Sequence, residues 1–89
     1  MTRPVALTIV IPTLNAAGGL TATLAALSGA AAAGLETEVV VADGGSADGT
    51  PELARRHGAR VIAASGGRGP QLAAGAAAAG AAWLMFLHA

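Results

Sequence analysis

Glu38-Val-Val-Val-Ala-Asp-Gly-Gly-Ser-Ala-Asp-Gly-Thr-Pro51 reads as a buried strand that hands a carboxylate to a glycine-rich turn. Val39, Val40, Val41 and Ala42 form an unbroken, mostly β-branched apolar run, the pattern of a parallel strand covered on both faces. Asp43 stands at its carboxyl end, followed by Gly44, Gly45 and Ser46 and then a second carboxylate, Asp48. Thr50 reads as a helix N-cap, Pro51 suits the first helical position, and Glu52 falls in the positive first turn. In an open parallel sheet, ligands bind just beyond the carboxyl ends of the strands. Glycines there let ligand atoms approach the backbone, and an acid accepts hydrogen bonds.

The same alternation extends in both directions. Val5 to Ile11 is a second apolar, β-branched run; Pro12 ends it, and Pro12-Thr13-Leu14-Asn15 forms a loop. A helix is expected from about Gly18 to Ala33, with Leu20, Leu24 and Leu27 as its buried stripe and Gly34 as its stop. The strand of the opening stretch runs from Glu38 to Ala42, and the helix after it ends at Gly58. Arg60 to Ala64 reads as a third strand and Ser65 to Gly69 as a second flexible loop. Pro70 starts a third helix reaching about Ala79, with Gly80 past its end, and Trp83 to Leu87 is a fourth apolar strand. The order β-α-β-α-β-α-β predicts an α/β fold with an open parallel sheet and right-handed crossovers. The alanine-rich segments are compositional bias, and residues 1–89 read as one unit without a linker.

Composition narrows the function classes. Hydrophobic residues make up 54%, but many are alanine; with one Phe, one Trp and no Tyr, the core must rest on Val, Ile and Leu. There is no lysine, and five arginines balance five acids. That argues against nucleic acid, whose phosphates call for a basic face. Without cysteine there are no disulfides or thiolate metal sites. The first apolar run is short and lacks a small-residue cleavage site, so no signal peptide is expected. The longest apolar stretch, Leu72 to Leu87, falls short of the ~20 residues of a spanning helix. A membrane span is not expected, and the compartment reads as cytoplasmic.

Three loops follow strand ends on one edge of this sheet, and they offer Thr13, Asn15, Asp43, Ser46, Asp48 and Arg68. One cation, several neutral donors and carboxylates placed for a base or sugar suit a nucleoside diphosphate better than a metal cluster, with Arg68 able to pair with phosphate. Each element has a plainer reading. Asp43 can bind a ligand or hold its own turn, as turn aspartates do. Asp48 reads as part of the turn leading into the helix, and His57 as a cation at a helix C-terminus. Arg68 is either a ligand contact or solvated surface, and His88 either functional or incidental. Other chemistries lack their residues. No Gly-x-Gly-x-x-Gly follows the first strand, and no Gly-Lys-Ser/Thr exists. No His, Asp and Glu set has metal-ligand spacing, and Ser46 and Ser65 have no paired base.

Val10-Ile-Pro-Thr-Leu-Asn15 followed by Val40-Val-Ala-Asp-Gly-Gly-Ser-Ala-Asp-Gly-Thr50 resembles the start of family 2 glycosyltransferases of the GT-A fold. Gly67-Arg-Gly-Pro-Gln-Leu-Ala-Ala-Gly75 and Leu84-Met-Phe-Leu-His-Ala89 look like a bacterial subgroup of that family. Four motifs in order, over essentially the whole chain, make the resemblance specific. There are departures: Asp43-Gly44-Gly45-Ser46 stands where Asp-Asp-Gly-Ser is common, and Ala73 where the subgroup tends to have Asn. The resemblance implies an inverting transferase with a nucleotide-sugar donor. Pro12, Thr13, Asn15 and Asp43 would contact base and ribose, and Arg68 would lie near the base or diphosphate. It also implies a divalent metal, Mg or Mn, in the complete enzyme, held by an Asp-x-Asp-like motif whose first Asp would follow Ala89. No ligand for that ion is identified in this chain, and the acceptor is left undefined. The family's strand order would set the fourth strand beside the first, with later strands on its other side. By resemblance this is the Rossmann-like, donor-binding half of a glycosyltransferase, inactive alone. Its rivals are a non-catalytic nucleotide-binding or interaction module, pairing through an open sheet edge, and an inert truncation product.

Overall fold

The computed structural model describes residues 7–32, 37–64, 67–80 and 83–87, apart from the side chains of residues 29–32, Arg68 and Trp83. Strand and helix alternate through them: β1 (Leu7–Thr13), α1 (Ala17–Ala32), β2 (Thr37–Asp43), α2 (Thr50–Arg56), β3 (Arg60–Ala63), α3 (Arg68–Ala78) and β4 (Trp83–Phe86). The expected start at Val5, the helix stop at Gly34, the loop residues Ser65 and Gly66, and His88 lie outside the described residues.

The four strands form one parallel sheet in the order β3-β2-β1-β4. Period-two alternation sorts β1 between two layers. Leu7, Ile9 and Ile11 join Val39 and Val41 in a cluster with Leu20 and Leu24 of α1 and Ala54 of α2. Leu20 and Leu24 are buried as expected, while Leu27 is half-buried. Val10 points to the other face, where α3 packs so closely that a Cβ on Gly75 would stand 2.2 Å from Val10 Cγ1. The sheet is thus sandwiched, with α1 and α2 on one side and α3 on the other.

β1 does not stop before Pro12 but runs to Thr13, in register with Asp43. The backbone explains why. Val10 accepts from Leu87 N–H and Thr13 accepts from Gly44 N–H, so even-numbered residues of β1 turn their polar backbone toward β4 and odd-numbered ones toward β2. Among the described residues, pairing with β4 ends at Val10, so Pro12, which has no N–H, is missing from no described ladder bond.

Two helix starts also differ from expectation. Gly49, with φ 84°, caps α2, and Thr50 is its first residue rather than its cap. The left-handed turn needs glycine, and Asp48 Oδ1 already accepts from Thr50 N–H. α3 begins at Arg68 rather than Pro70, because the N–H that proline lacks belongs to a first turn without intrahelical acceptors. α2 closes with Gly58 at φ 83°, Gly58 N–H on Arg55 O and Ala59 N–H on Ala54 O, a Schellman ending.

Candidate functional site

Asp43, last in β2, anchors the carboxyl edge. Its Oδ1 accepts from Thr13 Oγ1 at 2.7 Å and Ser46 Oγ at 2.6 Å. Its Oδ2 accepts from Gly45 N–H at 3.1 Å and Ser46 N–H at 2.8 Å. A carboxylate has about four lone-pair directions, and all are taken. Burial raises the pKa of Asp43, but the bonds from Ser46, Thr13 and Gly45 outweigh it and hold the carboxyl below its ordinary 3.8. Of the two readings open for Asp43, the turn-holding one is present in the geometry.

The loop after β1 is joined to the loop after β2 along its length. Asn15, in the left-handed region at φ 51°, donates its N–H to Ser46 Oγ and accepts Ala47 N–H on Oδ1, both at 2.8 Å. Asn15 itself is exposed. Ala16 N–H then reaches Thr50 Oγ1, and Ala17 N–H reaches Asp48 Oδ2, each at 3.1 Å. These two N–H groups open α1, so the second loop caps the first helix in trans. Asp48 also accepts a short bond from the Thr50 hydroxyl, which with the Ala17 and Thr50 N–H groups lowers its pKa. Asp48 thus holds the turn into α2, the structural role read from the sequence, and in addition fastens the loop before α1, which the sequence reading did not include.

The third loop arrives with α3. Gln71, buried, donates through Nε2 to Thr13 O at 2.7 Å and Ala42 O at 2.9 Å. Arg68 lies one turn earlier, so its backbone stands at the same edge. Pro12, Thr13, Asn15, Asp43 and the start of α3 at Arg68 are therefore gathered at one end of the sheet. Gln71 carries no role in the sequence reading. Its signal was available: it is the one polar residue between Pro70 and Gly80, in a stretch otherwise of alanine, glycine and leucine.

Among the described residues no three His, Cys, Asp or Glu side chains come together as a metal site. The chemistry of the two carboxylates agrees: Asp43 is filled by neutral donors and Asp48 faces Thr50 and Ala17, so neither fits a divalent ion as placed. A cleft of about 360 Å³ lies at the opposite, amino edge, among Leu24, Leu27, Thr37, Val39, His57 and Gly58. It shares no residue with the carboxyl-edge network. No helix among the described residues is long and apolar enough to cross a membrane.

Residues 8–89 match the family described as glycosyl transferase family 2. No curated protein matches the chain. Two solved structures of glucosyl-3-phosphoglycerate synthase from Mycobacterium tuberculosis are similar, each with 27% identity and a TM-score of 0.82 over 93% of this chain. One contains Mn2+, uridine diphosphate (UDP) and glucosyl-3-phosphoglycerate; the other contains Mn2+, UDP and phosphoglyceric acid. The chain spans about a third of each, 33% and 32%.

Proposed function

The chain belongs to glycosyl transferase family 2, and on that premise we propose that its carboxyl edge binds the nucleoside diphosphate of a sugar donor. The observation that carries this reading is the joining of the β1 and β2 loops into one surface at the strand ends. In parallel sheets that edge is where ligands sit. Pro12, Thr13, Asn15 and Asp43 face base and ribose, and Arg68 at the start of α3 serves the base or diphosphate. Asn15, exposed at this edge, offers its side-chain amide as a donor. A base N–H reaches Asp43 by replacing one present donor, and Gly45 N–H at 3.1 Å is the longest of the four.

In this reading the residues are the donor-binding half of an inverting glycosyltransferase whose acceptor they do not define. A divalent metal, Mg or Mn, offsets the negative charge on the departing diphosphate in such an enzyme. Asp43 and Asp48 do not fit it as placed, no metal cluster forms among the described residues, and its ligands are expected in the remainder of a complete enzyme. A cytoplasmic placement is part of the same reading. UDP, present in the similar structures, is the natural probe. Calorimetry should show UDP binding, weakened about tenfold or more by Asp43→Ala. Unchanged affinity refutes the role of Asp43, and absence of binding by any nucleoside diphosphate refutes the reading.

A second reading has its own support. Leu84, Met85 and Phe86 of β4 are exposed, which suits association of this strand with another segment or chain. Light scattering decides it: a stable oligomer of the 89-residue chain supports an interaction module, and a monomer opposes it.

A further inference from the structure

Gln71 is 6% exposed, and both hydrogens of its amide go to main-chain oxygens of different strands, Thr13 O and Ala42 O. Both facing atoms are acceptors, so the amide has one orientation: Nε2 toward the strands and Oε1 away. The contact sits where β1 and β2 give way to their loops. Thr13 O also receives Gly44 N–H at 2.9 Å, and a Cβ on Gly44 would stand 3.1 Å from Gln71 Nε2. The glycine thus leaves the space into which the amide fits. Packing alone does not call for glutamine here. Gly75, one turn on, already seats α3 against Val10, and an apolar side chain would bury well at position 71. The amide adds direction: two hydrogen bonds of fixed geometry, where apolar contact is non-directional.

We infer that Gln71 is a positioning residue of the donor site, setting the spacing between Arg68 at the start of α3 and the loops that carry Thr13 and Asp43. It acts through those groups and does not touch the ligand. The inference rests on the donor-site reading above.

The test is UDP affinity measured by calorimetry on the natural full-length protein, with melting temperature recorded beside it. Gln71→Leu fills the space without the hydrogen bonds, and Gln71→Glu keeps the shape but sets a carboxylate against two carbonyls. Leu24→Ala, in the core on the other face of the sheet, serves as a control for lost stability alone. Both Gln71 variants should bind UDP about tenfold or more weakly, while Leu24→Ala melts earlier and binds within about twofold of the parent. If Gln71→Leu does not fold, Gln71→Glu decides. Parental affinity in a folded Gln71 variant overturns the inference, as does a loss in Leu24→Ala that follows its stability. If the parent protein binds no UDP, the donor-site reading falls first and this inference with it.

Discussion

Asp43 shows how one side chain can build a site before any ligand arrives. With four donors on its carboxylate, it settles the path of Gly44, Gly45 and Ser46 and ties Thr13 to them. Hydrogen bonds to the ionised form lower its pKa below 3.8, so its contribution to stability is complete above that value. It is lost as pH falls through the lower, folded-state pKa. Acid unfolding followed by circular dichroism should therefore show stability falling below about pH 4. Asp43→Asn should flatten that dependence and lose about 2 kcal/mol at neutral pH, since an amide presents hydrogens to donors already there. An unchanged acid profile would place the titrating groups elsewhere. The carboxylate at a strand end was legible from the sequence, but its partners were not. Thr13 is 30 positions away, and only the parallel register of β1 on β2 brings it alongside.

At the scale of elements, the two loops and three helices are fastened by contacts of long sequence separation. Thr50 is the clearest case: its hydroxyl accepts from Ala16 N–H and donates to Asp48. Thr50→Val keeps the volume, leaves that N–H without its acceptor, and should lower stability by about 1–2 kcal/mol in urea denaturation. Gly75→Ala should cost about 1–3 kcal/mol by overpacking against Val10. A neutral result at either position would mean that the loops or α3 shift without penalty.

Most of the element order was readable because hydrophobic period and glycine punctuation are local signals. The boundaries that moved did so for tertiary reasons. Pro12 stays in β1 because the N–H it lacks faces the β4 side, where the described pairing ends at Val10. Thr50 yields the cap to Gly49 and serves α1 instead. Gln71 stood out as a lone polar residue, but its partners did not: its acceptors, in β1 and β2, lie 58 and 29 positions away.

For the whole molecule, the sheet is closed on one side of β1 and open on the other. The helices pack on β1, β2 and β3, and Leu84, Met85 and Phe86 keep 42%, 43% and 48% of their surface exposed. Consecutive residues of a strand face opposite ways, so both faces of β4 keep apolar surface exposed. An exposed apolar edge strand invites pairing. Met85→Lys should reduce self-association of the 89-residue chain in light scattering without altering β1; persistent association would point to another surface.

On the proposed function, the nucleotide binds at the carboxyl edge, beside the loops after β1 and β2 and the start of α3. Backbone amide NMR with UDP as the titrant tests it most directly. Shifts should concentrate at Thr13 to Ala17, Asp43 to Asp48 and Gly67 to Gln71. Shifts around Leu24, Thr37 and Gly58 at the amino-edge cleft, with the carboxyl edge silent, would contradict it.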